Sequence, residues 1–106
     1  MFTATIVGKV TNDKIDIITE KGRKGESYRY TTVTIDTGRY YGKTSLVPVR
    51  CYGALADNCK KFLKQNSIAC FFTEATSYRS DPTKIMFTAI NGRFFTEEII
   101  QDEQED

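Results

Sequence analysis

The chain has 106 residues, 40% of them hydrophobic and 27% charged, with a formal net charge of +1. That length gives one domain around one core, and the composition is that of an ordinary soluble globular protein. Having no histidine and three cysteines, it lacks the commonest general base and the common zinc patterns, and an odd cysteine count argues against a disulfide framework.

The opening MFTATIVGKV lacks the basic start and apolar block of a signal peptide. No apolar run approaches the ~20 residues of a membrane span. The expectation is an intracellular protein without membrane contact, with Cys51, Cys59 and Cys70 as small buried apolar residues in a reducing compartment. Phe2, Ala4, Ile6, Gly8 and Val10 alternate with Thr3, Thr5 and Lys9, which predicts a first strand. After a turn at TND, IDIITE (Ile15–Glu20) continues as strand. KGRKGE (Lys21–Glu26) then reads as a glycine-punctuated basic loop. Ser27 to Asp36 is the next strand, with Thr31, Val33 and Ile35 on one face and Tyr28, Tyr30, Thr32 and Thr34 on the other. DTGRYYGKTS (Asp36–Ser45) reads as a surface turn bracketed by Gly38 and Gly42. In SLVPVRCY, Val47, Val49 and Cys51 face one side, and Leu46, Pro48, Arg50 and Tyr52 the other. Pro48 suggests an edge or a bulge.

GALADNCKKFLKQN (Gly53–Asn66) changes period. Leu55, Ala56, Cys59, Phe62 and Leu63 form a helical stripe, with Lys60, Lys61 and Lys64 outside it and Asn66 suited to the left-handed stop. Strand period resumes in SIACFFTEAT, passes the turn YRSDPTK and continues through IMFTAINGRFF. Phe62, Phe71 and Phe87 read as core; Phe72, Phe94 and Phe95 as core or interface. Six of the 14 acids lie between Glu97 and Asp106, leaving eight acids against all 15 bases in residues 1–96. A basic body with an acidic tail is a pattern associated with nucleic-acid interaction.

Three strands, a helix and two strands fit an all-β, β-rich fold with one short helix. The closed solution is a five-stranded Greek-key barrel of the oligonucleotide/oligosaccharide-binding (OB) type, its helix between strands three and four. Residues 1–96 would form this domain and 97–106 a flexible acidic tail.

The stretch VRCYGALADNCKKFLKQNSIACFF (Val49–Phe72) resembles the bacterial and phage single-stranded DNA-binding proteins, whose pattern is a strand ending in aromatic–Gly, a helix with Leu-Ala-acid, a stop and a strand. ATIVGKVTND and YTTVTIDTG resemble the family's first strand and its second core strand. By that alignment Leu46 and Tyr41 stand where the family has tryptophans, and Tyr52 keeps the aromatic before the helix. Asn66 and Thr73 replace glycines, and the long linker and terminal Pro-Phe are missing. The short length resembles phage or mobile-element members.

The resemblance implies sequence-independent binding of single-stranded DNA, acting in replication, recombination or repair in a bacterial cytoplasm and nucleoid. It also implies a homo-oligomer, dimer or tetramer, built through the first strand and the sheet surface. The acidic tail is a possible contact for replication proteins.

Such binding needs flat rings between cations along a groove. The candidates are Tyr28, Arg29 and Tyr30; Arg39, Tyr40, Tyr41 and Lys43 at the hairpin, its tip placed beside Arg50 and Tyr52; Leu46, Arg50 and Tyr52 on the strand; and Tyr78, Arg79 and Lys84 from the last loop. Tyr28 and Tyr30 read equally well as cross-strand pairs in a sheet or as a subunit contact. Rival readings are an OB-fold interaction subunit of the primosomal accessory type and an RNA-binding module. With no phosphate-cradling glycine loop and no carboxylate pair outside the tail, the expectation is a non-enzymatic protein without cofactor or metal.

Overall fold

Side chains leave a strand on alternate faces, so period-two sequence becomes sheet with one face buried. In the computed structural model, which describes residues 2–95 apart from the side chain of Tyr40, the strands are β1 (Phe2–Val10), β2 (Ile18–Lys21), β3 (Ser27–Tyr40), β4 (Lys43–Tyr52), β5 (Ile68–Ser77) and β6 (Ile85–Phe95), with helix α1 (Gly53–Phe62) between β4 and β5. Neighbours run β1-β5-β6-β4-β3-β2, and β1 also pairs with β3. That second pairing closes β1, β5, β6, β4 and β3 into a five-stranded barrel. The ladders are antiparallel except between β4 and β6, where Val49 stands beside Phe87 and Arg50 beside Thr88. This is the OB fold, with the helix following the third barrel strand. The acidic tail lies outside the described residues.

Ile6 and Val10 of β1, Val33 and Ile35 of β3, Val49 and Cys51 of β4, and Ala69 and Phe71 of β5 fill the barrel. Ala56, Cys59 and Leu63 plug one end of it. Thr73, where a glycine is expected by resemblance, is buried and donates its hydroxyl to the Ala4 carbonyl at 2.7 Å. The Cys51 and Cys59 thiols meet in the core; their mutual hydrogen bond, then burial, pushes Cys51 far above the usual thiol range. Barrel closure is tight: a Cβ on Gly8 would strike the Asp36 backbone carbonyl.

Several expectations change. Ile15 is buried in the core, and the strand after it starts only at Ile18 and pairs with β3 alone, outside the barrel. β3 does not stop at Asp36. A one-residue bulge at Thr37–Gly38 shifts its register against β4, and the pairing then continues to Tyr40↔Lys43. Gly38 (φ 112) belongs to that bulge, its N–H held by the Asp36 carboxylate at 2.9 Å. The turn itself is only Tyr41–Gly42, both with positive φ (50 and 74), as a two-residue type I′ hairpin requires. Helix α1 ends at Phe62, and Leu63 beyond it is extended. Asn66 (φ 74) sits instead in the following turn, where the Ser67 N–H donates to the Lys64 carbonyl. Phe62 is 47% exposed and is not core. Phe2, expected on the inward face, is also exposed.

Candidate nucleic-acid interface

The register of β3 and β4 places Tyr30 opposite Tyr52 and Thr32 opposite Arg50. Paired residues share a face, and this is the face opposite Val33 and Cys51. Three tyrosines gather there. The Tyr28 and Tyr30 ring centroids lie 6.0 Å apart and stacked, Tyr28 and Tyr52 6.2 Å apart, and Tyr30 and Tyr52 5.9 Å apart. The Arg50 guanidinium lies over the Tyr30 ring, 4.2 Å from its centroid. Tyr30 is only 8% exposed, so it underlies the cluster, while Tyr28 and Tyr52 present more ring surface to solvent.

A residue absent from the candidates organises this cluster. Glu20, opposite Tyr28 on β2, accepts the Tyr28 hydroxyl at 2.9 Å and the Tyr30 hydroxyl at 2.8 Å, one on each carboxylate oxygen. The Tyr30 and Tyr28 bonds, assisted by Arg50, hold the Glu20 carboxyl below its usual range. The same bonds raise both phenols. The β2–β3 hairpin register carries the signal for Glu20: folding the chain about Lys24 brings Ile18–Lys21 against Ser27–Tyr30.

Beyond Arg50 the face deepens into a small pocket lined by Thr32, Pro48, Tyr78, Ile85, Met86 and Phe87 as well as Arg50. Tyr78 is placed by an ordered loop. Its N–H donates to the Lys84 carbonyl at 3.0 Å, and the Asp81 carboxylate takes the Thr83 hydroxyl and N–H. Pro48 pairs with Thr34, and the ladder to β6 begins one residue later, so its missing N–H costs no bond there. Arg79 and Lys84 sit exposed in the same loop.

The other candidates lie apart. Strand parity turns Arg29 to the opposite side, where its guanidinium meets the Asp57 carboxylate of α1 at 2.7 Å. Leu46 is exposed opposite Asp36. Arg39, Tyr40, Tyr41 and Lys43 cap the β3–β4 arm, with Tyr41 88% exposed. Lys43 is seven residues from Arg50 on one strand, roughly 23 Å at ~3.3 Å per residue. The hairpin tip is therefore not beside Arg50 and Tyr52. Among the described residues, no group of three potential metal ligands is gathered, and no helix is long and apolar enough to cross a membrane.

No protein-family model matches the chain, and no curated protein matches it. Solved structures do. A mitochondrial single-stranded DNA-binding protein of S. cerevisiae superposes with TM-score 0.68 at 11% identity, over 89% of this chain and 93% of that one. The second single-stranded DNA-binding protein of Mycobacterium smegmatis gives 0.63 at 11% identity, over 91% and 90%. A small single-stranded DNA-binding protein of Streptomyces coelicolor gives 0.59 at 14% identity, over 91% and 94%. The chain thus has, over nearly the full length of each, the OB fold of these single-stranded DNA-binding proteins.

Proposed function

We propose that this protein binds single-stranded DNA without sequence preference and without catalysis, covering exposed strands during replication or recombination. The observation that carries the reading is the Tyr28–Tyr30–Tyr52 cluster with Arg50, on the outer β3–β4 face of a barrel shared with single-stranded DNA-binding proteins. Bases stack on Tyr28 and Tyr52, Tyr30 supports them from below, and Arg50 meets the backbone. Stacking is tolerant of sequence because every base has a π-face. Tyr78 and the pocket beside it extend the path towards Arg79 and Lys84, and the β3–β4 arm offers Tyr41, Arg39 and Lys43 to more distant nucleotides.

The chain has no tryptophan, so its intrinsic fluorescence is that of tyrosine. Titration with oligo-dT quenches it, and the affinity falls steeply with salt. Tyr52→Ala and Tyr28→Ala each weaken binding by ~1–3 kcal/mol, while Lys60→Ala with Lys61→Ala leaves it nearly unchanged. Absence of quenching at low salt, or equal affinity for duplex, would refute the reading.

The protein works as a homo-oligomer in this proposal. Val7, Ile68, Phe72, Ile90 and Phe95 are exposed on the outer side of β1, β5 and β6. The pairings Thr5↔Phe72, Val7↔Cys70, Lys9↔Ile68 and Ile68↔Phe95 place Val7, Ile68, Phe72 and Phe95 on one continuous surface. An apolar face of this kind favours a second copy as its partner.

A further inference from the structure

On the aromatic face the charges cancel. Arg50 lies over Tyr30, and the Glu20 carboxylate is close enough to feel its charge. Arg29, behind the same strand, is taken up by Asp57. A polyanion stacked on Tyr28 and Tyr52 therefore meets one base and one acid where the rings are.

The hairpin that continues this face carries more positive charge. The loop from Lys21 to Glu26 holds three bases and one acid, KGRKGE. Parity turns Lys21 away with Ser27, but Arg23 and Lys24 stand exposed at the tip. Among the described residues neither forms an ion pair. Glu26, the one acid, folds back over Gly22, where its carboxylate occupies the space a Cβ would take.

The tip is also built rather than loose. The Gly22 N–H donates to the Glu26 carbonyl at 2.7 Å, and the Gly25 N–H to the Gly22 carbonyl at 3.1 Å, with Gly25 at φ 82. Below it, the paired tyrosine hydroxyls on Glu20 tie β2 to the ring cluster. Arg23 follows Glu20 by three residues, no more than about 11 Å of chain even if fully extended. That places a cation within reach of phosphates adjoining a base on Tyr28.

We propose that Arg23 and Lys24 form a phosphate-binding arm, holding the backbone of nucleotides that leave the aromatic face at its Tyr28 end. The arm rests on the reading of that face as a single-stranded DNA site, and its ligand is the phosphodiester chain rather than any base. Glu20 keeps the arm in fixed register with the rings, so backbone and bases are engaged together.

The test compares the full-length protein with its Arg23→Gln/Lys24→Gln variant, measuring oligo-dT affinity across a salt series. Each lost phosphate contact on a single strand lowers the slope of log K against log salt by about 0.7, so the double variant is expected to be shallower by about 1.4. Lys60→Gln/Lys61→Gln, on the helix, keeps the wild-type slope. A double variant that is as steep as wild type overturns the arm while leaving the interface standing, as does weaker binding with an unchanged slope. Failure of the wild-type protein to bind oligo-dT at low salt overturns both.

Discussion

Glu20 accepts two phenolic hydroxyls, so the protonation of all three groups is linked to the geometry of the cluster. Its folded-state value lies below the ordinary 4.5, so its contribution is complete above 4.5 and is lost as pH falls through that lower value. Tyr28 and Tyr30 are raised above 10.0; their contribution is complete below 10.0 and is lost as pH rises through those higher values. The brace therefore holds throughout the neutral range. In an alkaline titration followed by tyrosinate absorbance, Glu20→Gln lowers the ionisation midpoints of two of the six tyrosines. An unchanged titration would show that the bonds do not persist in solution. Alternation in the sequence is enough to put Tyr28, Tyr30, Arg50 and Tyr52 on one face. It does not separate Tyr30, capped by Arg50 and nearly buried, from its more exposed neighbours, because that depends on what packs across the strand. It sends Arg29, between the two tyrosines, to the other side, but does not tell that a helix carboxylate meets it there.

Gly53 joins β4 to α1 at φ 59, and apart from its chain neighbours and the adjoining helix backbone no atom lies within 4 Å of the place its Cβ would occupy. The cost of a side chain there is purely one of backbone conformation. Gly53→Ala should destabilise the fold by ~1–2 kcal/mol, seen as a lower denaturant midpoint with an unchanged slope; no loss of stability would place the strand-to-helix turn in another conformation. Elements whose buried side chains keep a strict period are legible without coordinates, as Thr31, Val33 and Ile35 show, and the helix stripe is legible through Ala56, Cys59 and Leu63. The β3–β4 arm is not. Glycine in a bulge and glycine in a turn look alike in sequence, so Gly38 hides four further residues of strand. Phe62 follows the helical period of the core but stands half exposed with the Lys61 ammonium over its ring, which no periodicity encodes.

At the scale of the whole molecule, one surface of the barrel is given to nucleic acid in our proposal and the surface of β1, β5 and β6 to a second copy. Phe72 stands on the latter, 39% exposed. Phe72→Glu is expected to convert the oligomer to a folded monomer in sedimentation, since the side chain faces outward; a wild-type protein that already sediments as a monomer would refute the shared interface. Tyr52 ties the binding surface to the fold itself. It is the last residue of β4, stands at the N-cap position of α1 with extended backbone and no side-chain cap, and belongs to the ring cluster. Its ring thus belongs to the binding surface while its backbone makes the turn from strand into helix. Ligand binding and unfolding become competing fates of the same side chains. A bound strand acts as a thermal stabiliser, adding about 2.7 kcal/mol at a hundred times its dissociation constant, and a partly unfolded molecule loses its grip on the strand as its helix comes away.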